Sequence, residues 1–470
     1  MTQPTPANVF LPRLEMLERS EIRDIQLRKL QRQLAKMHSS NPFYREKWPA
    51  AGFHPDQVKT LEDIRRVPFT NKQDFLADQL AYPPFGQRLG VPLEQVGEIT
   101  ESSGTSGNRK ELHGHTVQDM HLRGQLTGLG WAWAGLRKDD IGVFHIPASN
   151  SASLYTMLRG IRSVGRLPYL VGHLGFEERI ELMRSIGVNG MYMTPSGLNG
   201  LAVLCENMGL KPAEIFPDLR FVMVSAESWP VEWVQRMEAI WNAKITEVYG
   251  STQLNAAYGA SCCERGAVID GQRGRQHFFE WAYLYEVIDP ETLEPTPAGE
   301  PGELVVTHLD KQASTIIRYR TGDRVVWGPH NMCPCGRQLM TMEAGVIGRV
   351  DDTFKVKGQS IFPSEVDSVI FANAEVDEFQ ARAFIGEKGR DEIELRFAIK
   401  DVYEGADPVG LTTKLVRDLK QATDVTFRVM HVASEELPHF TSPDKKARRW
   451  TDDRHTGLAR PAKSSAEGAT

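Results

Sequence analysis

Apolar residues return at helical intervals along residues 10–40, a stretch rich in Leu, Arg, Glu and Gln, and predict one or two helices there. A loop at Ser39–Pro42 follows, and Phe43, Tyr44 and Trp48 beyond it read as helix-packing aromatics. Between about 140 and 270 the pattern changes. Short apolar runs (DIGVFHIP, GVNGMYMTPS, LRFVMVSAE, AKITEVYGST) alternate with helix-like polar stretches. Buried strands followed by helices account for this, and predict an α/β sheet with its sites at the strand ends. Residues 281–327 (YLYEVIDP, GELVVTHL, TIIRYRTGDRVVW) alternate β-branched residues between Gly/Pro turns and predict a β-rich subdomain. After Gly348 a new unit begins, with strands at FKVKGQ and ELRFAIK and helices near 363–374 and 409–421, a compact α+β arrangement. The tail after about 455 is small and polar and predicts disorder. No internal repeat or low-complexity tract interrupts this order.

Length and charge narrow the picture. A chain of 470 residues with 41% hydrophobic composition exceeds the size at which one core stops growing, so a large domain plus a smaller one is expected. The net charge of −6 argues against a general nucleic-acid binder but leaves room for a local basic pocket for phosphates. The start, MTQPTPANVF, shows no secretory signal, and no window approaches a bilayer span, so a cytoplasmic protein without a membrane partner is expected. Five cysteines are too few for a disulfide framework, yet four fall in two tight pairs, Cys262 with Cys263 and Cys333 with Cys335. That clustering points to chemistry or metal rather than stapling.

The sharpest local feature runs from Thr100 to Lys110, TESSGTSGNRK. Gly104 and Gly107 let the backbone turn tightly, and Ser102, Ser103, Thr105 and Ser106 add hydroxyl donors, so the loop can wrap phosphate oxygens. It is neither GxxxxGK[ST] nor GxGxxG. A Ser/Gly surface loop explains its composition equally well.

SSGTSG resembles the phosphate loop of the adenylate-forming superfamily of acyl-coenzyme A ligases, and further segments extend the likeness. NPFYREKW and PFTNKQDF are similar to the N-terminal region of phenylacetate-coenzyme A ligases. Tyr249-Gly-Ser-Thr-Gln253, IIRYRTGD ending at Asp323, Gly348–Asp352, the run from Lys357-Gly358 to IFPSEVD, and DKKARRW resemble the later motifs, in order, across residues 10–454. This resemblance implies an α/β fold with a large multi-sheet adenylation domain (1–348) holding the ATP and acyl sites and a β-rich subdomain. A small mobile α+β lid (349–454) and a disordered tail (455–470) complete it.

The implied activity is ATP-dependent activation of a phenylacetate-like or aryl acid through an acyl-adenylate. Thioester formation with coenzyme A follows, with Mg2+ as cofactor and AMP and pyrophosphate as products. Transfer to a carrier-protein thiol or an amine, and a catalytically inactive nucleotide-binding protein, are the alternatives; a homodimer rests on the resemblance alone. Carried over by position, Ser103, Gly104, Thr105, Ser106 and Gly107 hold phosphates, with Ala226 and Glu227 in a turn beside them. Tyr249 and Gly250 lie by the adenine, Thr252 near the α-phosphate, Asp323 on the ribose hydroxyls, and Arg349 on the nucleotide. Asp351 is the hinge, and Lys446 the late lysine that neutralises the carboxylate and α-phosphate, with Lys445 its rival. Two departures stand out. Gln253 stands where the family usually carries the glutamate that contacts magnesium, and is a poorer hard-cation ligand: either phosphates and water hold the magnesium, with Glu280 assisting, or the activity is weakened or altered. Asn108-Arg109 replaces the common Lys-Pro, which leaves Arg109 or Lys110 to supply the displaced charge.

Cys333-Pro-Cys335 is a CxC turn able to grip one zinc ion. In some phenylacetate-ligase relatives a cysteine, a histidine and such a pair form a structural site, and HFFEW resembles the histidine stretch. Cys263, His277, Cys333 and Cys335 are therefore the expected ligands, with Cys262 competing for the first place and reduced loop cysteines as the metal-free alternative. Four protein ligands leave no open position for catalysis. For the acyl pocket, Tyr155, Phe144, His145, Trp133 with Trp131, Met193 and Tyr249 are expected to offer an aromatic wall, and His145 or Ser196 to donate to ring substituents. Core packing is the competing account of each.

Overall fold

The computed structural model describes residues 9–102, 110–146, 152–227, 229–253, 256–261, 266–330, 333, 335–345, 348–350, 354–357, 359–386, 389–400, 403, 405–437 and 449–454. By backbone packing the chain divides after Val350 into two compact units. The tail expected to be disordered lies outside the described residues.

In the first unit the N-terminal helical periodicity becomes helices Pro12–Glu15 and Arg19–Ser40. Tyr44 and Trp48 pack with Leu30 and Leu34 in one buried cluster, as their aromatic character predicts. A hairpin follows: β1 (Val96–Glu101) runs antiparallel to β2 (Leu112–Thr116) and brackets the Ser/Gly loop.

Five short strands then build the centre: β3 (Ile141–Phe144), β4 (Leu167–Leu170), β5 (Gly190–Met193), β6 (Phe221–Val224) and β7 (Lys244–Ser251). They lie parallel in the order β4-β3-β5-β6-β7. Every residue of β5 and β6 is buried, which is why these strands read as unbroken apolar runs: helices cover both faces of a parallel sheet. The connecting helices are Ala152–Ser163, Phe176–Ile186, Pro195–Asn207 and Val231–Trp241. Their ends follow local chemistry. Thr194 caps the third and is followed by Pro195 at its first position, while Gly187, at φ 64°, closes the second. Helix Val117–Trp133 opens on a capping box between Thr116 and Asp119. It presses so closely on Ala152–Ser163 that a Cβ at Gly128 would stand 2.9 Å from the Gly160 carbonyl oxygen.

Strand order reverses direction between β3 and β5. Chains leaving the two carboxyl ends diverge there and open a crevice, the place where sheets of this kind carry their sites.

The sheet does not stop at β7. Antiparallel strands β8 (Ala256–Ser261), β9 (Arg275–Phe278), β10 (Tyr283–Ile288), β11 (Pro301–His308), β12 (Tyr319–Gly328) and β13 (Thr341–Glu343) continue it in the order β7-β8-β9-β13-β12-β11-β10. A short β14 (Gly348–Arg349) pairs with β12. Among the described residues, the β-rich stretch thus joins the parallel strands in one 12-stranded sheet, with β14 branching from β12. This brings residues far apart in sequence to the end of β7.

In the second unit, strands Val376–Ile385 and Asp391–Ile399 pair antiparallel, flanked in parallel by Trp450–Asp452 and Arg428–His431. Helices Pro363–Phe371 and Pro408–Thr423 supply Val366, Ile370, Leu415 and Leu419 to a core with Phe379, Leu395 and Phe397. Among the described residues no helix is long and apolar enough to cross a membrane.

Candidate active site

Three residues expected on the nucleotide converge at the end of β7. Tyr249 donates its hydroxyl to Asp323 Oδ2, and Arg349 Nη1 donates to Asp323 Oδ1 at 2.9 Å. The backbone explains the meeting. The β7–β8 register shifts between Tyr249 and Gly250, and β12 sets Asp323 directly opposite Arg349 of β14. Gly322, at φ 72°, turns the chain just before the aspartate. With both oxygens engaged, Asp323 still has lone pairs to accept hydroxyl protons.

A second group forms beyond the carboxyl ends of β5 and β6. Ala226 adopts φ 75°, an unusual left-handed conformation for a residue with a side chain, and swings Glu227 back over helix Pro195–Asn207. There Glu227 Oε2 accepts from the Ser196 backbone N–H at 3.1 Å and from its hydroxyl, while Oε1 is buried without a partner among the described residues. Tyr192 and Ser225 share a hydroxyl hydrogen bond of 2.6 Å. His145 follows β3 on the other side of the crevice; its backbone N–H is tied to the Tyr192 carbonyl at 3.0 Å. Among the described residues neither of its ring nitrogens has a hydrogen-bond partner. Burial, with the Arg179 charge adding to it, drives its pKa down to about 3, so the ring is neutral and can donate or accept.

The expected acyl wall is only partly assembled. Phe144 lies beside Tyr192 in the register, and its ring meets those of Trp131 at 5.3 Å and Tyr192 at 6.0 Å. Tyr155 is half-buried on helix Ala152–Ser163. Met193 belongs to the core on the opposite sheet face, with Val224 as its register neighbour, because side chains alternate along a strand. Trp133 is also elsewhere. Its indole N–H donates to Glu15 Oε2 at 2.7 Å, Arg337 lies 4.6 Å over its ring, and His277 meets it edge-on at 5.8 Å. It is a structural residue of the cysteine corner, not part of the wall with Phe144.

That corner brings together three of the four expected metal ligands. His277, Cys333 and Cys335 are buried with their ligand atoms all within 4.8 Å of one another, and His277 Nε2 stands 3.2 Å from Cys335 Sγ. An imidazole with two sulfurs suits zinc in softness and size. Cys262 and Cys263 lie outside the described residues, as do Ser103, Gly104, Thr105, Ser106, Gly107, Arg109, Asp351, Lys445 and Lys446.

The neck of the Ser/Gly loop is described. Ser102 N–H donates to the Glu111 carbonyl at 3.0 Å, and Glu111 N–H to Ser102 Oγ at 2.9 Å, closing the hairpin. Lys110 pairs with Glu101 at 2.6 Å across that neck. Glu280 is not a helper for magnesium: it is buried and committed to Arg19 at 2.6 Å and the Met340 N–H at 2.7 Å. The carboxylate beside Gln253 is instead Glu111, whose two oxygens each accept from Gln253 Nε2 at 3.1 Å. Burial pushes the Glu111 pKa upward. Contacts with His113, the Arg88 charge and Gln253 outweigh it and hold the group below the ordinary glutamate value. Burial keeps His113 itself neutral, with its pKa near 4. Its Nε2, 3.4 Å from the Glu111 carboxylate, therefore makes a polar contact and not an ion pair. The sequence did hold a signal for Glu111: an acidic residue leaving the phosphate loop, in a chain that lacks one at 253. Hard oxygen donors, the Gln253 carboxamide backed by this carboxylate, fit magnesium.

The geometry agrees with what comparison finds. The model of the AMP-binding enzyme family matches residues 98–309, from the loop hairpin through Tyr249 and into β11. Phenylacetate-coenzyme A ligase of Thermus thermophilus is 28% identical over 464 residues, covering 94% of this chain and 99% of the relative. That of Aromatoleum evansii is 30% identical over 376 residues, covering 78% and 80%. Among solved structures, 2-hydroxyisobutyryl-CoA ligase in the postadenylation state with 2-HIB-AMP shares the fold at a TM-score of 0.85 and 24% identity, over 97% of this chain and 94% of that one. With 30% identity across most of both chains, the protein belongs to the phenylacetate-coenzyme A ligase-like branch of the AMP-binding, adenylate-forming enzymes, and is an AMP-forming acid–coenzyme A ligase.

Proposed function

We propose that the acid this ligase activates is aromatic, of the phenylacetate or aryl class. The observation that carries this reading is the near full-length match to a phenylacetate-coenzyme A ligase. The buried aromatic cluster of Phe144, Trp131 and Tyr192, formed where β3 and β5 end, supports it. His145, neutral and with both ring nitrogens unpartnered among the described residues, favours an acid that carries a hydroxyl or amino group.

In the first half-reaction a carboxylate oxygen of the acid attacks the α-phosphorus of ATP and the bond to the β-phosphate oxygen breaks, giving the acyl-adenylate and pyrophosphate. The coenzyme A thiolate then attacks the acyl carbonyl and AMP leaves. Asp323 accepts the ribose hydroxyls, with Tyr249 and Arg349 fixing its orientation. Tyr249, Gly250 and the Ala226-Glu227 turn border the adenine, Thr252 the α-phosphate, and Ser103–Gly107 the remaining phosphates. Lys446 neutralises charge as the carboxylate approaches phosphorus. Magnesium, when bound, screens the phosphate charge and polarises the bond to pyrophosphate. Gln253 is the residue that would face it.

Pyrophosphate release measured across benzoates, phenylacetates, their hydroxy and amino derivatives and 2-hydroxyisobutyrate, with and without coenzyme A, tests the reading. One aryl acid should stand out and yield its thioester when coenzyme A is present. A response to 2-hydroxyisobutyrate with silence from every aryl acid would overturn the aromatic assignment.

We further propose that His277, Cys333 and Cys335, with Cys262 or Cys263, hold a structural zinc. Metal analysis of protein purified without chelator should find about one zinc per chain. Cys335→Ser should lose it and melt at a lower temperature, leaving the substrate preference intact. Wild-type protein without zinc, melting unchanged after chelation, would show the reduced-cysteine alternative to be right.

A further inference from the structure

Gln253 occupies the position where this family carries glutamate, and a buried carboxylate lies directly against it. Both carboxylate oxygens of Glu111 accept from its single carboxamide nitrogen, at 3.1 Å each. Glu111 is fully buried, immediately before β2, where the chain leaves the phosphate loop. A carboxamide has one donating and one accepting end. With the nitrogen turned to Glu111, the accepting end, Oε1, points away from it on a half-buried side chain four residues after Tyr249. The reverse rotamer would set an oxygen against the carboxylate, two acceptors in contact with nothing between them. Glu111 therefore dictates which end of Gln253 is presented.

We propose that Glu111 is a positioning residue for the metal-bound nucleotide: it carries the negative charge that position 253 supplies elsewhere in the family, and holds Gln253 so that the amide oxygen is its metal-facing atom. The proposal rests on the reading of the protein as a magnesium-ATP-dependent ligase. It makes positions 111 and 253 a matched pair, one carboxylate and one carboxamide.

One consequence separates this from a simple weakening of the site. Restoring the family's residue with Gln253→Glu sets two carboxylates face to face in a water-poor place, where both cannot ionise without cost. The reversion should therefore harm the protein, and Glu111→Gln added to it should rescue it.

The test uses full-length protein and two readouts apart from turnover: melting temperature without nucleotide or metal, and Mn2+ binding in the presence of ATP followed by electron paramagnetic resonance. Gln253→Glu alone should lower the melting temperature. Glu111→Gln alone should weaken Mn2+ binding in the ATP complex by about tenfold or more, the usual scale for losing a group that orients a metal ligand, with metal-free ATP binding unchanged. The double variant should recover both readouts to near wild type. Melting shifts that simply add, or a Gln253→Glu protein that melts like wild type and binds Mn2+ more tightly, would overturn the pairing while leaving the ligase reading intact. Wild-type protein that gains no Mn2+ affinity from ATP would overturn the proposal together with the magnesium-ATP reading beneath it.

Discussion

Asp323→Asn lowers kcat/KM for ATP in pyrophosphate release by about 10²-fold while the melting temperature moves little. The substitution keeps the shape of the side chain but makes one of its two acceptor oxygens a donor. Tyr249 donates to one oxygen and Arg349 to the other, so an amide NH2 must face one of these donors with nothing to accept. The ribose hydroxyls lose a charged acceptor as well. Hydrogen bonds to charged groups contribute roughly 1.5–3 kcal/mol each, and losing the equivalent of one or two gives about 3 kcal/mol, or two powers of ten. Stability should respond weakly, because Arg349 is 40% exposed and an ion pair open to solvent contributes little. Steady-state kinetics at varied ATP, alongside a melting curve, separate the two effects. Unchanged ATP kinetics with a large fall in melting temperature would mean that Asp323 ties β12 to β14 and does not hold the ribose.

Much of this site could be read from the chain because its signals are local. The buried parallel strands announce themselves as apolar runs, and Tyr249, Asp323 and Arg349 sit in short ordered motifs. Tyr249 lies near the end of β7, and the pairing of β12 with β14 sets Asp323 opposite Arg349, so the three meet there. What the sequence hid depends on register or on long-range pairing. Phe144 and Met193 both look like pocket residues at the ends of buried strands, but only the pairing of β3 with β5 shows them on opposite faces. Trp133 is two residues from Trp131, yet the helix turns it toward Glu15, 118 residues away. Glu280 finds Arg19 across 261 residues, and Gln253 finds Glu111 across 142. A buried charge must have a partner, but nothing in a linear sequence says which. The β-rich stretch failed to read as part of the main sheet for the same reason: antiparallel strands carry their own alternation wherever they dock.

The second large effect is expected at Lys446. Lys446→Ala should reduce acid- and ATP-dependent pyrophosphate release by about 10²–10³-fold, the scale for removing one group that stabilises charge developing in a transition state. Affinity for ATP alone should stay within about twofold, because a charge that acts as carboxylate and phosphorus approach contributes little to the ground state. The second half-reaction should discriminate further. Supplied with preformed acyl-adenylate and coenzyme A, the variant should form thioester at nearly the wild-type rate, since no carboxylate then approaches a phosphate and the ammonium has no charge to offset. Lys445→Ala is the control, one residue away with the same charge in the same basic run. If Lys445→Ala loses adenylation and Lys446→Ala keeps it, the assignment moves by one residue. If both keep it, the late lysine has no part in adenylation, and charge neutralisation falls to Arg349, Arg109 or the metal. If Lys446→Ala loses both half-reactions equally, the residue serves the fold or the binding of the acyl group and not the chemistry at phosphorus.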